Sequence, residues 1–160
     1  MSDPFSVGSS ALGVISLGLT VCQGLISYFS ALKGQDQYLD SLTVRVEGLK
    51  DCLTILQRAL PSWRSHTANA ASRIDHSISE CRSQILSLEA KLTDLQRTHG
   101  PSLVHDKLRH LTRKAIFPFK KDALVELSST VDGLQQNLHT ILQIANLQVE
   151  SLFLLGRKCS

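Results

Sequence analysis

The 160-residue chain has room for one domain with an ordinary hydrophobic core. Apolar residues make up 42% and aromatic residues 5%, with few Gly and Pro, which excludes a disordered chain and a small disulfide-bound scaffold. The net charge of +3 hides a basic block, because residues 107–121 hold six Lys and Arg and no Asp or Glu, whereas the remaining residues sum to −3.

The first predicted helix, Pro4 to Leu32, carries no charged residue. At about 1.5 Å of rise per residue it is long enough to cross the roughly 30 Å hydrocarbon core of a bilayer. Small residues recur along one side at spacings of three and four, a pattern that lets another helix approach closely. They are Ser9, Gly13, Ser16, Thr20, Gly24, Ser27 and Ala31. The sequence therefore suits both a bundle core and a membrane.

Amphipathic helices are predicted downstream. The second runs from Gln35 to Leu60 and is stopped by Pro61, and residues 62–71 form a polar connection. A third helix follows and ends at His99-Gly100-Pro101, and shorter and longer helices cover residues 102–116 and 120 toward 152. Three apolar seams with spacings of three and four predict the buried faces. They are Leu39, Leu42, Val46, Leu49, Leu53, Leu56 and Leu60; Ile74, Ile78, Cys81, Ile85, Leu88, Leu92 and Leu95; and Leu124, Leu127, Val131, Leu134, Leu138, Ile141 and Ala145.

These seams are compatible with an extended coiled coil, but the breakers at Pro61, Gly100-Pro101 and Pro118 favour helices that fold back on one another. We therefore predict an all-α fold: an antiparallel bundle of about four to five helices in a single domain, residues 1–160. The apolar N-terminal helix, residues 1–32, is expected at its centre, surrounded by the amphipathic helices of residues 33–160.

No motif for catalysis is present. The chain lacks a P-loop, a dinucleotide-binding glycine motif, an H-E-x-x-H motif and a nucleophile elbow. Its six His are scattered, and its four Cys show no metal-ligand spacing, so we expect free thiols in a reducing compartment. The sequence predicts no enzyme, no cofactor and no metal.

The basic block has three interpretations: a solvated surface, a lipid-binding segment or a nucleic-acid site. Each Lys or Arg near an anionic leaflet contributes on the order of 1 kcal/mol, so a few suffice for recruitment. The lipid-binding candidates are Lys107, Arg109, Arg113, Lys114, Lys120 and Lys121. Nucleic acid is disfavoured because there is no recognition-helix motif and no aromatic stacking platform.

Two stretches resemble the N-terminal domain of fungal STAND receptors, the HeLo-like group. The first is the opening Met1-Ser-Asp-Pro-Phe-Ser-Val-Gly-Ser-Ser-Ala-Leu-Gly-Val-Ile-Ser-Leu-Gly-Leu-Thr-Val-Cys-Gln-Gly-Leu25, and the second is Lys114-Ala-Ile-Phe-Pro-Phe-Lys-Lys121. The resemblance implies a helical bundle related to the HeLo domain of the HET-S toxin and, more distantly, to the bundle of the mixed-lineage kinase-like pseudokinase. Such domains execute regulated cell death and incompatibility.

The resemblance further implies that the N-terminal helix leaves the bundle after activation, oligomerises and permeabilises the plasma membrane. The expected protein is cytoplasmic at rest, with anionic membrane lipids, further copies of itself and an upstream sensor domain as partners. The membrane-insertion candidates are Phe5, Gly8, Leu12, Gly13, Ile15, Gly18, Leu19, Gly24, Ile26 and Phe29. Two alternatives stay open: a helical adaptor that binds a homologous domain without lipid, and a permanently anchored protein.

Overall fold

The computed structural model describes residues 10–32, 37–66, 68–99 and 121–146. Every regular element in these ranges is a helix. They are α1, Ala11–Ala31; α2, Gln37–His66; α3, Ala68–Glu80; α4, Arg82–His99; and α5, residues 121–146. The predicted all-α bundle with an apolar first helix is confirmed. The predicted helix over residues 102–116 lies outside the described residues.

Cross-helix pairs define the topology around α1. Gly18 lies opposite Leu53 and Gln23 opposite Lys50, so α1 and α2 run antiparallel. Gly18 also lies opposite Ile85 and Gly24 opposite Leu92, so α1 and α4 run parallel. Helix α1 therefore packs between α2 and α4, and it contacts α3 as well.

Helix α5 packs on the same two helices from the other side. Asp132 and Gln135 face Arg45 and Gly48 of α2 in the parallel sense. Toward α4 the sense is antiparallel, because Glu126 faces Lys91 and Asn137 faces Gln84. The order around the bundle is thus α1, α2, α5, α4, which is an up-down-up-down arrangement with α1 and α5 diagonally opposed.

The three predicted seams form the core. All twenty-one of their residues are buried, and they join the buried face of α1 in one cluster. That face consists of Ala11, Val14, Ile15, Gly18, Val21, Cys22, Leu25 and Phe29. The spacing of three and four thus identified the inward face of every amphipathic helix, since residues at that spacing share one side.

Two predicted boundaries of α1 and α2 are wrong. Helix α1 begins at Ala11 and not at Pro4, because Ser10 is extended (φ −75°, ψ 153°) and its hydroxyl caps the Gly13 amide at 3.1 Å. Helix α2 continues through Pro61 to His66. Pro61 is exposed, while the flanking Leu60 and Trp63 are buried, so packing on both sides holds the helix across the lost amide. The predicted connection 62–71 is therefore mostly helical.

The predicted third helix is divided at Cys81 into α3 and α4. The Cys81 amide bonds to the carbonyl of Ile78, three residues back, at 3.1 Å. The Cys81 thiol donates to the Ser77 carbonyl at 3.4 Å, which an unbroken helix would assign to the Cys81 amide. The Ile85 amide then bonds to the Cys81 carbonyl at 3.1 Å and the helix resumes. The break is a single tightened turn, and the apolar residues before and after it stay on the same buried side.

Candidate functional site: helix α1 and the groove that holds it

Helix α1 combines a buried face with an open one. It is the described helix that is long and apolar enough to cross a membrane, by length and composition, and 39% of its most apolar window is buried. The open face carries neutral polar residues, and its large apolar member is Leu12, which is 39% exposed. Helix α1 thus contacts three of the described helices through its buried face, while one row of residues remains at the surface.

The predicted small-residue stripe is mostly on this open face. Ser16, Thr20, Ser27 and Ala31 are exposed, and Gly13 and Gly24 are half-buried. The expectation that the stripe marks a close approach is therefore wrong for most of its members. The amphipathic character comes instead from the large residues, which turn inward and leave the small polar ones in water.

Two glycines do make a close approach. A Cβ built at Gly18 would lie 2.9 Å from Leu53 Cδ1 and 3.2 Å from Ile85 Cδ1. A Cβ built at Gly24 would lie 2.7 Å from Leu92 Cδ2. We call the surface formed by Leu53, Ile85 and Leu92 the α1 groove. The contacted atoms are the ends of flexible side chains, so a Cβ at position 18 or 24 requires these side chains to shift.

One polar contact joins α1 to a neighbour within the described part of the chain. The Lys50 ammonium of α2 donates to Gln23 Oε1 at 2.9 Å. The hydroxyl of Tyr28 is buried and has no hydrogen-bond partner among the described residues. Among the described residues, α1 is therefore attached to the other helices chiefly through apolar contacts.

The predicted insertion residues divide among three environments. Ile15, Gly18 and Phe29 are buried in the core. Gly13, Leu19, Gly24 and Ile26 are half-buried, and Leu12 is exposed. Phe5 and Gly8 lie outside the described residues. The structure thus brings most of the predicted set together on one helix, with Ile15 and Phe29 packed inside the bundle.

The predicted lipid-binding set is described at one position. Lys121 is exposed at the start of the described part of α5. Lys107, Arg109, Arg113, Lys114 and Lys120 lie outside the described residues. Their role as a lipid-binding segment stays a prediction.

Helix α5 is attached differently from α1. On its α2 side, Arg45 Nη1 donates to Asp132 Oδ2 at 2.6 Å and to the Ser128 hydroxyl at 3.0 Å. On its α4 side, Lys91 pairs with Glu126 at 2.6 Å, and Asn137 Nδ2 donates to Gln84 Oε1 at 3.0 Å. Charged and polar bridges therefore flank the apolar contacts of α5 on both sides.

The described thiols are suited to packing rather than to chemistry. Cys22, Cys52 and Cys81 are free, and Cys159 lies outside the described residues. Burial, reinforced by the neighbouring Glu80 carboxylate, raises the pKa of the Cys81 thiol to about 11. Burial also raises the pKa of Cys52. A thiol that resists ionisation is a poor nucleophile and a poor metal ligand. Within the described ranges no group of three or more His, Cys, Asp or Glu could hold a metal.

The sequence did not predict which residues of α2 and α4 contact α1. Leu53, Ile85 and Leu92 were predicted as core, but nothing marked them as the residues that meet glycines of α1. Lys50 is not a member of the predicted seam of α2, and it reaches Gln23. The available signal was Gly18 and Gly24 themselves, because glycine inside a helix costs about 1 kcal/mol relative to alanine and indicates a packing reason when it is retained.

No protein-family model matches the chain, and no solved structure matches it. The chain is 30% identical over 139 residues to "Azaphilone pigments biosynthesis cluster protein L" of Monascus ruber. The match covers 86% of this chain but 29% of that relative. The chain is therefore similar to less than a third of a longer protein, whose name places it in a pigment biosynthesis cluster.

Proposed function

We propose that this domain is a membrane-permeabilising effector of the HeLo-like kind, soluble at rest, whose helix α1 enters a bilayer after activation. The observation that carries the proposal is the double character of α1. Ala11–Ala31 is uncharged and long enough to span a membrane, yet its inward face, with Ile15, Leu25 and Phe29, is packed inside a bundle. By length and composition, one segment is thus compatible with two apolar environments.

The energetics support a transfer between environments and oppose release into water. Helix α1 buries five large apolar side chains: Val14, Ile15, Val21, Leu25 and Phe29. At roughly 1.5 to 3 kcal/mol each, exposing them to water costs about 10 kcal/mol. That is comparable to the whole stability of a typical domain. Only a second apolar environment, such as hydrocarbon, makes departure of α1 feasible.

The attachment of α1 also supports the proposal. Apart from the hydrogen bond between Lys50 and Gln23, no described ion pair or side-chain hydrogen bond holds Ala11–Leu32 to another helix. An apolar contact is replaced by lipid at little cost, whereas an ion pair is not. A sensor elsewhere in a longer protein would supply the trigger, and the similarity to part of a longer relative is compatible with that role.

The decisive experiment separates folding from insertion. Thr20 is exposed at the middle of α1, and its hydroxyl bonds to the Ser16 carbonyl at 3.0 Å. Thr20→Glu should leave the bundle folded and strongly reduce dye leakage from phosphatidylserine vesicles, because a charge at the bilayer centre costs about 3 kcal/mol. The matched control is Thr140→Glu on α5, where the exposed hydroxyl bonds to the Gln136 carbonyl at 3.0 Å. It should leak like the unmodified protein.

Equal leakage by the two variants would contradict insertion of α1, provided that circular dichroism shows both folded. A second arm tests the charge of the recruiting surface: leakage should weaken in high salt, because the attraction of basic side chains to anionic lipid is screened. Absence of leakage together with a stable complex in solution would instead favour the adaptor interpretation.

A further inference from the structure

We propose that the outer face of helix α2 is a docking surface for the basic block of the same chain, residues 107–121. The outer face consists of residues that recur at spacings of four, three, four and four and so share one side of the helix. They are Asp40, Val44, Glu47, Asp51 and Ile55, and all five are exposed. The proposal goes beyond the membrane proposal, because the contact forms within one chain and needs no lipid.

The first argument is the apolar surface that this face leaves in water. Val44 is 66% exposed and Ile55 is 52% exposed, the two highest values among the large apolar residues that the structure describes. They are eleven residues apart, so they lie about 16 Å from one another along the same side of α2. An amphipathic segment laid along this side would cover both, since helical faces are recognised through apolar anchors at such spacings.

The second argument is the charge beside these two residues. Asp40, Glu47 and Asp51 form no ion pair with a described residue. Glu47 and Asp51 are one turn apart, where like charges repel. The nearby cations Arg45 and Lys50 are bonded to other helices. An occupant that carries several positive charges would therefore relieve the repulsion on this face.

The third argument is that the chain itself supplies an occupant of this chemistry. Residues 107–121 hold six Lys and Arg and no Asp or Glu, whereas the remaining residues sum to −3. Within the block, Leu108, Leu111 and Ala115 recur at the spacings of one helical side. A tethered segment also meets the face at a high effective concentration, which a separate protein of the same chemistry does not. The chain's own basic block is therefore the favoured occupant.

The fourth argument is where the described chain ends on either side of the block. Helices α2 and α5 run parallel, with Arg45 facing Asp132, so residue 121 lies level with the start of α2. Helix α4 runs antiparallel to α5 and ends at His99, at the same end of the bundle. Residues 100–120 are therefore joined on both sides to the end of the bundle where the outer face begins.

The length of the block fits the distance that it must cover. Asp51 lies eleven residues beyond Asp40, about 16 Å along the helix axis. Seven residues separate Lys114 from Lys121, and an extended chain of that length spans up to about 23 Å. Lys114 and its neighbour Arg113 can therefore reach the carboxylates of the outer face.

The test measures the proximity of the block to α2 in the intact chain by nuclear magnetic resonance. A nitroxide is attached at Arg58→Cys, an exposed position one turn beyond the outer face. The background is Cys52→Ser, Cys159→Ser, in which the remaining described thiols are buried. Because a nitroxide broadens the signals of nearby nuclei only, we expect it to broaden the amide signals of residues 107–114.

The matched control label is Arg82→Cys, which is also exposed and lies at the start of α4, on the corner of the bundle opposite α2. It changes the net charge by the same amount and should leave the signals of residues 107–114 sharp. Equal broadening from the two labels, or broadening from neither, would overturn the proposal. Since no lipid is present, that outcome leaves the membrane proposal untouched.

Charge variants test whether the carboxylates make the contact. Glu47→Gln together with Asp51→Asn should abolish the broadening from the label on α2. Gln136→Lys together with Gln143→Lys, at exposed positions of α5, changes the net charge equally and should preserve it. Broadening that survives loss of both carboxylates would contradict docking on the outer face.

Two further arms identify the occupant. Glu47→Lys with Asp51→Lys should abolish the broadening, and adding Arg113→Glu with Lys114→Glu to that chain should restore it. A mixture of nitroxide-labelled chains and isotope-enriched chains without the label should show no broadening. Broadening in the mixture would mean that the block of a second copy occupies the face, and it would overturn docking within one chain.

Discussion

Helices α1 and α5 occupy opposite corners of the same bundle and pack on the same two walls, α2 and α4. Each buries a seam of large apolar residues. Their edges differ: α5 is flanked by Arg45–Asp132 and Lys91–Glu126, whereas α1 is uncharged and fits against Leu53, Ile85 and Leu92 through glycines. The extent to which a helix is buried therefore does not determine which kind of contact holds it in the bundle. One helix can be as buried as another and yet be held by contacts that a different apolar environment can replace.

The largest expected effect tests whether the two helices contribute equally to the core. Leu25 of α1 and Leu134 of α5 are both fully buried. Leu25→Ala and Leu134→Ala should each lower the free energy of unfolding by about 2 to 5 kcal/mol, because each leaves a cavity. Urea denaturation measures both, with exposed Val44→Ala as the control. A loss for Leu25→Ala as small as the control would mean that α1 is not packed in solution.

Replacing a glycine by alanine should change the stability of the protein differently on α1 and on α5. Gly18→Ala inserts a Cβ 2.9 Å from Leu53 Cδ1, whereas Gly133→Ala on α5 meets Gln84 at an ordinary 3.7 Å. We expect Gly133→Ala to raise stability by up to about 1 kcal/mol, since alanine favours helix. Gly18→Ala should fall below it by up to about 1 kcal/mol, because the ends of the Leu53 and Ile85 side chains must shift to admit the methyl group. Thermal unfolding of the two variants measures this difference. Equal shifts in melting temperature would contradict the close fit at Gly18.

The protein should lose stability at alkaline pH through Cys81, which lies at the break between α3 and α4. The Cys81 thiol has a pKa of about 11 in the folded protein against 9.0 when unperturbed, because burial disfavours the thiolate. The unfolded chain therefore releases this proton first, and stability falls as pH rises from about 9 to 11. We expect about 1 kcal/mol of the loss between pH 8.5 and 10.5 to disappear in Cys81→Ala. A pH profile unchanged by the substitution would exclude this thiol as its source.

Salt should weaken the polar contact between α2 and α5 and leave the polar contact between α1 and α2 unchanged. The side chains of Arg45 and Asp132 are each about half exposed, at 45% and 50%, so their coupling should be at most about 1 kcal/mol and should shrink in 1 M salt. A double-mutant cycle with Arg45→Gln and Asp132→Asn measures it. The matching cycle across α1, with Gln23→Leu and Lys50→Met, should show a coupling that salt does not change. Equal salt dependence of the two coupling energies would contradict this difference between the contacts of α1 and those of α5.

The smallest effect concerns the hydroxyl of Tyr28. It is buried without a partner among the described residues. Removing it in Tyr28→Phe should leave stability unchanged or raise it by up to about 1 kcal/mol, because an unsatisfied buried hydroxyl is unfavourable. Thermal unfolding provides the measurement. A clear loss of stability would show that this hydroxyl is bonded in solution.

The buried faces could be predicted from the sequence because their signal is periodic. Every seam residue from Leu39 to Ala145 is inside, since spacing of three and four fixes one side of a helix whatever surrounds it. Boundaries were harder, since they depend on single interactions. The hydroxyl of Ser10 sets the start of α1, and the packing of Leu60 and Trp63 carries α2 past Pro61.

Composition was enough to predict which helix forms the candidate site, but not which residues that helix contacts. The uncharged stretch marked α1, and most of the predicted insertion residues do lie on that helix. The sequence did not predict which side of α1 faces inward, because the helix was expected to be surrounded by the others. The groove needed coordinates, because the pairing of Gly18 with Leu53 and Ile85 joins three helices far apart in the chain.

The position of Trp63 has a practical consequence. It is the single tryptophan of the chain, it lies just beyond Pro61, and 8% of it is exposed. Indole emission shifts with the polarity around the ring, so this residue is a built-in optical reporter for the last turns of α2. Fluorescence of the unlabelled protein will show whether the helix beyond the proline stays packed while α1 moves, and it requires no added dye.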